Sequence, residues 1–400
     1  MSVKTLNVGI IGGGIGGLAL AIALRKAQVK VTLFEKSKTF VGYGAGVQLS
    51  SNGVKVLRYL GVEHLIEQKA TQPQKVLLKN ADSGSIISEI PLGNFTRRRY
   101  STSFYLVHRN DLIQVLAKNA IDLGTKCFLG SRANICEGAN DISSVIVNKK
   151  KFDFDVIVAA DGVNSATRKK LFPEMSEPKF FQQVAYRATV PFNKVDAAFT
   201  KEEINLYLSS GCHLVSYPLV SKSLVNLVFC KDQKTWGDNQ WSLPAEKSEV
   251  IKEFSGFSGI ESLLLNVHDI HKWGLFGYES SESWFCGNVA LLGDACHPML
   301  PYLAQGANQA LEDSRSLAHF LTQDNRSNKQ EVLKIYQNNR KNRVSRIQKH
   351  AIRNARVYHL PEGPLRTLLH TGMSLVTKLM PNFLITRFDW IYKYELKIKS

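Results

Sequence analysis

The chain has 400 residues, 44% of them hydrophobic, enough to bury a large core and too apolar for a disordered or fibrous protein. Its 51 Lys and Arg outnumber 34 Asp and Glu, for a formal net charge of +17. The six cysteines (Cys127, Cys136, Cys212, Cys230, Cys286, Cys296) form no C-x-x-C pair and no zinc spacing. This excludes a disulfide framework and a metal site, and the expectation is reduced thiols in a cytoplasmic protein.

Residues Leu6 to Leu24 carry no charge, but six glycines interrupt them, so a strand, a turn and a helix explain the run better than a membrane span or export signal. Asn7 to Ile11 predicts a buried strand, Leu18 to Leu24 a helix, and Val31 to Phe34 a second strand ending at Glu35. The turn between strand and helix reads Gly12-x-Gly14-x-x-Gly17. There the first glycine permits the turn, the second admits a pyrophosphate to the backbone, and the third allows close helix–sheet packing. Glu35 stands where a carboxylate accepts hydrogen bonds from ribose hydroxyls, and it disfavours a 2′-phosphate. Ile15, at the helix start, and Lys36, beside Glu35, belong to the same candidate site. The motif alone leaves NAD and FAD open.

Asn52 to Tyr59 predicts a helix, and Lys75 to Ile90 a hairpin around Asp82-Ser83-Gly84. Asp111 to Leu123 predicts an amphipathic helix capped by Asn or Asp. Asp155 to Ala159 predicts a buried strand running into Asp161-Gly162. Phe180 to Phe229 is rich in strands (Val184–Val190, Asn205–Leu208, Cys212–Tyr217, Leu224–Phe229) and reads as an inserted sheet. His213 and Tyr217, four apart on one of these strands, share a face. The parallel-sheet pattern returns at Val289 to Leu292, followed by Gly293-Asp294 and by a helix from about Gly306. From Arg340 to Arg356 there are seven basic residues and no acidic one. Six of them (Arg340, Arg343, Arg346, Lys349, Arg353 and Arg356) step by three or four, which predicts one solvated helix face. Steering of anionic substrates and contact with an anionic membrane are the sharper alternatives. No nucleic-acid reading motif accompanies the charge, so no nucleic-acid partner is expected. The last forty residues are helical or irregular and rich in aromatics.

Taken together, several motifs form a set with fixed order. They are Gly44-Ala-Gly46-Val-Gln48, His108-Arg109-Asn-Asp111-Leu112, Asp161-Gly162 with Arg168, Tyr186-Arg-Ala, and Gly211-Cys-His213-Leu-Val-Ser-Tyr217-Pro. The set continues with Gly293-Asp294, the run His297 to Asp313, and the ending Arg387 to Tyr392. In this set the chain resembles the class A flavoprotein aromatic hydroxylases, the para-hydroxybenzoate hydroxylase-like superfamily, over nearly its whole length. Within it the chain looks most like salicylate hydroxylases and 3-hydroxybenzoate 6-hydroxylases.

The resemblance implies a mixed α/β (α+β) fold. A Rossmann-like FAD-binding domain would comprise residues 1–75, 100–179 and 271–360. An inserted β-sheet substrate domain would comprise 76–99 and 180–270, and 361–400 would form a helical C-terminal segment. It implies bound FAD, NADH or NADPH as co-substrate, dioxygen, and a small phenolic, carboxylated aromatic substrate hydroxylated through a flavin C4a-hydroperoxide. Gln48, Arg109, Asp161, Gly162, Asp294, Gly306 and Ala307 would complete the cofactor site. Arg109 would approach the phosphates or ribityl, Asp294 the ribityl chain, and the helix from Gly306 the flavin pyrimidine. His213, with Tyr217, would act on the substrate hydroxyl as base; a core histidine packed on Tyr217 is the bland alternative. Gln305 would contact substrate or peroxide oxygen, or else orient backbone. His108 and His297 read as structural. A surface ion pair is the bland reading of Arg109 and Arg168.

Cys296 and Ser50-Ser51-Asn52 depart from the usual pattern, and no arginine stands out as the partner of a substrate carboxylate. Three rival readings remain. One is a ubiquinone-pathway-type hydroxylase docked at a membrane through the basic run and Met373 to Ile398, although the aromatic tail reads more simply as core or homodimer contact. Another is a non-oxygenating FAD-binding protein. The third, a plain NAD-dependent dehydrogenase, leaves Gly293-Asp294 unexplained.

Overall fold

The computed structural model describes residues 6–41, 46–136, 144–173, 178–237, 242–277, 283–323 and 328–396. Gly44, Ala45 and Ile398 of the segments named above lie outside them. The β-branched run Asn7–Ile11 forms the middle of a six-stranded sheet, paired in parallel with Lys30–Phe34 on one side and Val156–Ala159 on the other. Val289–Leu291 extends the sheet in parallel, so residues nearly three hundred apart share one layer. Val8, Ile10, Leu33, Ile157 and Leu291 are wholly enclosed, as strands covered on both faces require.

The helix Ile15–Lys26 packs on this sheet and against the helices Arg109–Asp122 and Gly306–Gln323. Its crossing with the latter is close because Gly16 has no side chain. A Cβ there would come within 2.5 Å of Leu292 Cδ2 and 3.3 Å of Ala310 Cβ. Ser314 Oγ donates to the Gly16 carbonyl at 2.8 Å and pins the crossing.

The second layer is an eight-stranded sheet. Its strands are antiparallel except where Lys75–Asn80 runs parallel to Glu203–Ser209. Alternation sorts its residues between two faces. Tyr186, Leu214, Leu227 and Phe229 pack under the helices Lys247–Phe254 and Glu261–Asn266. Arg187, His213, Tyr217, Asn226 and Cys230 face the other way, into a cavity. The boundary expected at 270/271 falls inside the strand His268–Gly277, which pairs along Lys179–Pro191, so this sheet reaches residue 277. Asp111 does not cap its helix. His108 does, its Nδ1 accepting from the Asn110 amide at 3.3 Å.

The 30-residue helix Lys329–Tyr358 lies against Gly306–Gln323 and corrects the reading of the basic run as one solvated face. Arg340 is fully buried. Its Nε donates to Asp313 Oδ1 (2.8 Å), Nη1 to Glu312 Oε2 (2.5 Å) and Nη2 to Gln309 Oε1 (2.7 Å). Arg343 donates to both oxygens of Glu312, at 2.7 and 2.8 Å. Arg346, though exposed, lies 3.9 Å over the Trp390 ring, and Lys349, Arg353 and Arg356 are exposed as well. Periodicity marks the stripe but cannot reveal that a facing helix presents two adjacent acids.

Candidate active site

The chain from Gly12 to Gly17 has the geometry that its glycines demand. Gly12 has φ +108°, and a Cβ there would stand 2.4 Å from the Ala160 carbonyl oxygen. A Cβ at Gly17 would stand 2.1 Å from the Gly12 carbonyl. Gly14 precedes the helix with open space where its side chain would be, and Ile15 is its first, buried residue. Glu35 accepts from the Gly13 amide (2.7 Å) and the Ser37 amide (2.8 Å), which orients its carboxylate across the turn. A carboxylate has about four lone-pair positions, so two remain for hydroxyl groups. Lys36 beside it is exposed.

Across the sheet, Asp161 Oδ2 accepts from the Thr167 amide and hydroxyl, while Oδ1 is buried without a partner. Gly162 follows at φ +81° with open space beside it. This combination of space at two glycines, an orphaned buried acceptor and a helix N-terminus opening at a half-buried Gly14 suits a hydroxyl-bearing phosphodiester nucleotide. Arg168 is not a surface ion pair. Buried, it donates to the Ala295 carbonyl at 3.1 Å and ties the two βα turns together.

The cavity, about 380 Å³, lies between the two sheets. One wall carries Gln48, Arg109, Asp294, Gly306 and Ala307 from the first layer; the other carries Arg187, His213 and Tyr217 from the second. The residues expected around a flavin and those expected around a substrate therefore share one chamber. Burial lowers the Arg109 pKa, Asp294 opposes that and Arg187 adds to it, so this guanidinium belongs to the cavity and not to the surface. Asp294 is exposed on the cavity side in the turn Gly293–Ala295. The turn is braced from behind, where the Gly293 amide (3.1 Å) and His297 Nε2 (2.6 Å) both meet Asp313 Oδ2. Burial would raise the Asp313 carboxyl, but His297 and Arg340 outweigh it and hold its pKa at about 2. The helix Gly306–Gln323 opens at the cavity, its first amides aimed inward with the positive end of the helix dipole.

His213 lines the chamber and is 3% exposed. Burial drives its pKa well below the ordinary value, and a proton on the neighbouring His359 would lower it further, so the imidazole is neutral. Its Nδ1 lies 2.7 Å from His359 Nε2, and Tyr302 packs against its ring. Tyr217 sits over Gly46, where a Cβ would come within 2.4 Å of its hydroxyl. Burial pushes the Tyr217 phenol up, with Arg187 opposing.

Gln305 is a correction: it does not reach the chamber. Ala304 is left-handed (φ +51°) and turns the next residue inward. Gln305 Oε1 accepts from Asn52 (2.9 Å) and Gln309 (3.1 Å), and Nε2 donates to Ser50 Oγ (2.8 Å). The Ser50-Ser51-Asn52 departure thus belongs to a buried polar clasp between two helices. The aromatic tail is neither plain core nor free surface. Phe388 and Tyr392 line the chamber, and Trp390 underlies Arg346.

In the sequence Arg187 stood in a motif but without a role, and patterning did not single out His359 or Asp232. For Arg187 a signal existed: a charged residue between Tyr186 and Ala188 in the mostly apolar stretch Val184–Val190. Its Nε is buried without a partner, as is Asn226 Nδ2 nearby in the cavity wall.

Two interleaved layers, a dinucleotide turn and a chamber shared by cofactor-type and substrate-type residues define a flavin-dependent oxygenase. Residues 5–351 match the FAD binding domain family, and the chain belongs to it. It is 32% identical over 384 residues to the FAD-dependent monooxygenase OpS4 of Beauveria bassiana, covering 93% of this chain and 90% of that one. It is 30% identical over 405 residues to a 3-hydroxybenzoate 6-hydroxylase of Klebsiella oxytoca, covering 98% of both. A salicylate hydroxylase substrate complex superposes with TM-score 0.80 at 25% identity, over 98% of this chain and 96% of that one. The protein is an FAD-dependent aromatic monooxygenase. Among the described residues no helix is long and apolar enough to cross a membrane.

Proposed function

We propose that this enzyme hydroxylates a carboxylated phenol, with a reduced nicotinamide and dioxygen as co-substrates. The observation that carries the reading is the single chamber with a neutral imidazole, His213, and a guanidinium with an unmet donor, Arg187, on one wall. The relatives named for hydroxybenzoates support the ring class.

FAD, when bound, supplies hydride acceptance and oxygen activation. Gly12, Gly14, Gly17 and Glu35 would hold its adenosine end and pyrophosphate. Asp161, Arg109 and Asp294 would hold the middle, and the Gly306 helix terminus would face the ring system. Fixed amides there stabilise negative charge without reorganising. Arg187 would take the substrate carboxylate, and His213 Nε2 would take the proton of the ring hydroxyl, leaving a more electron-rich ring. Leu300, Tyr302 and Phe388 add apolar lining that would help keep water from the reacting ring.

The test is a panel of hydroxybenzoates, hydroxynicotinate and quinone precursors, scored by substrate-stimulated NAD(P)H oxidation and product mass. A yellow holoenzyme that no ring stimulates would overturn the proposal. A charge-assisted hydrogen bond contributes about 1.5–3 kcal/mol, so Arg187→Leu should weaken carboxylated phenols about ten- to hundredfold. Uncarboxylated phenols should be unaffected, and equal losses for both would remove Arg187 from this role.

One observation favours docking at an apolar surface as a second reading. Leu365, Leu368, Leu375 and Leu379 on the helix Pro364–Leu379 are 66%, 71%, 58% and 74% exposed. A fully soluble pool after lysis at low salt would argue against a membrane as that surface.

A further inference from the structure

His213 is enclosed deeply enough that a proton it accepts has to move on. Its partner His359 follows the end of the helix Lys329–Tyr358 and is 6% exposed. His359 Nδ1 lies 2.6 Å from Asp232 Oδ1, and Asp232, at the end of the strand Leu224–Asp232, has a side chain 52% exposed. Three groups thus form a continuous line from the chamber to solvent, with spacings of 2.7 and 2.6 Å.

The hydrogen-bond polarity of that line follows from its outer end. A carboxylate can only accept, so His359 donates from Nδ1. In neutral His359, Nε2 is then an acceptor, and His213 must donate to it from Nδ1. The remaining nitrogen of His213, Nε2, is left with its lone pair free for the chamber, the tautomer a base requires. Gln183 braces the arrangement: Nε2 donates to Asp232 Oδ1 at 2.9 Å, and Oε1 accepts from Tyr302 at 2.8 Å. Burial would raise the Asp232 carboxyl, but the hydrogen bonds from His359 and Gln183 outweigh it and keep it ionised. The other titratable groups packed around the line do not compete. Burial pushes Cys230 and Tyr358 up to about 12 and Cys212 up to about 11, and raises Tyr302 as well. Lys231 is held 2.6 Å from Glu253.

We propose that His359 and Asp232 are positioning residues that fix the base tautomer of His213 and carry the substrate proton out of the chamber. The substrate O–H bond breaks as His213 Nε2–H forms. His213 Nδ1–H breaks as His359 Nε2–H forms, and the charge comes to rest as an imidazolium against the Asp232 carboxylate, at the edge of solvent. No oxidant or reductant takes part. The turnover side of this inference rests on the base role proposed above; the tautomer side does not.

The test begins on the holoenzyme without substrate, labelled with 15N-histidine, the two rings being assigned through His213→Asn and His359→Asn. The expected result is Nδ1 protonated and Nε2 bare in His213, with Asp232→Asn abolishing that pattern and Asp232→Glu restoring it. A proton on His213 Nε2, or resonances indifferent to Asp232→Asn, overturns the proposal while leaving the oxygenase reading intact. With the best ring from the panel, Asp232→Asn should then lower kcat about tenfold or more, part of the ~10²–10⁴ that a positioned base supplies. KM should hold, and the acidic limb of the pH profile should shift. An unchanged kcat and pH profile would also overturn it. Failure of every ring in the panel would instead sink the substrate reading and leave the tautomer result standing.

Discussion

Replacing Arg340 by Met tests whether one buried cation, and not the charge of the helix as a whole, holds the C-terminal half against the cofactor layer. The side chain is fully enclosed and gives three hydrogen bonds, to Asp313, Glu312 and Gln309. Methionine adapts to irregular space, so the cavity contribution is small. Removing one member of a buried ion cluster costs about 3–5 kcal/mol, because the partners keep their charges. Arg343 still serves Glu312 and His297 still serves Asp313, so the lower end, about 3 kcal/mol, is expected.

Arg356, exposed on the same run, should tolerate the same change within about 0.5 kcal/mol. Urea unfolding at saturating FAD and neutral pH reads the difference as a midpoint shift at constant slope. The sign with pH follows from Asp313, whose carboxyl is held at about 2, against an ordinary value of about 3.9. A depressed carboxylate contributes stability above its unfolded pKa and loses it as pH falls through its folded one. The gap between variant and wild type should therefore be full at neutral pH and narrow from about pH 4 toward pH 2. Because Asp313 also holds the Gly293 amide, the variant should bind FAD more weakly. A loss below about 1 kcal/mol, typical of exposed pairs, or an equal loss at Arg356, would refute the reasoning.

Gly17→Ala should yield a colourless or largely flavin-free protein, because its Cβ would meet the Gly12 carbonyl at 2.1 Å and backbone must move. A full complement of flavin, measured by visible absorption, would contradict this. Gln305→Leu should destabilise by about 1–3 kcal/mol for the buried groups left unpaired, while turnover per bound flavin stays as it was. Native stability with released peroxide would return Gln305 to the chamber wall.

Local pattern carried much of this architecture. The βαβ unit, the hairpin around Asp82 and the strands of the larger sheet are all written in runs of 4 to 8 residues, where alternation and glycine placement act over neighbours. His213 and Tyr217 were visible for the same reason, since two positions of even separation on a strand share a face. What stayed hidden depends on which element lies opposite. Nothing near Arg340 signals Glu312 and Asp313 across a helix interface. Nothing near Gln305 signals the left-handed Ala304 that turns it inward, because the usual mark of that conformation, a glycine, is absent. His359 and Asp232 are 127 positions apart and meet only where a helix end reaches a strand end.

The parallel pairing of Lys75–Asn80 with Glu203–Ser209 sets an order on biogenesis. While the ribosome is still making the middle of the chain, the early hairpin has no neighbour on that edge. Its cofactor layer also waits, since Val289–Leu291 and the helices Gly306–Gln323 and Lys329–Tyr358 emerge much later. Closing such long loops is slow, so the nascent protein would expose bare strand edges until these distant partners have been made. A chaperone that covers those edges in the interval would raise the yield of the finished enzyme.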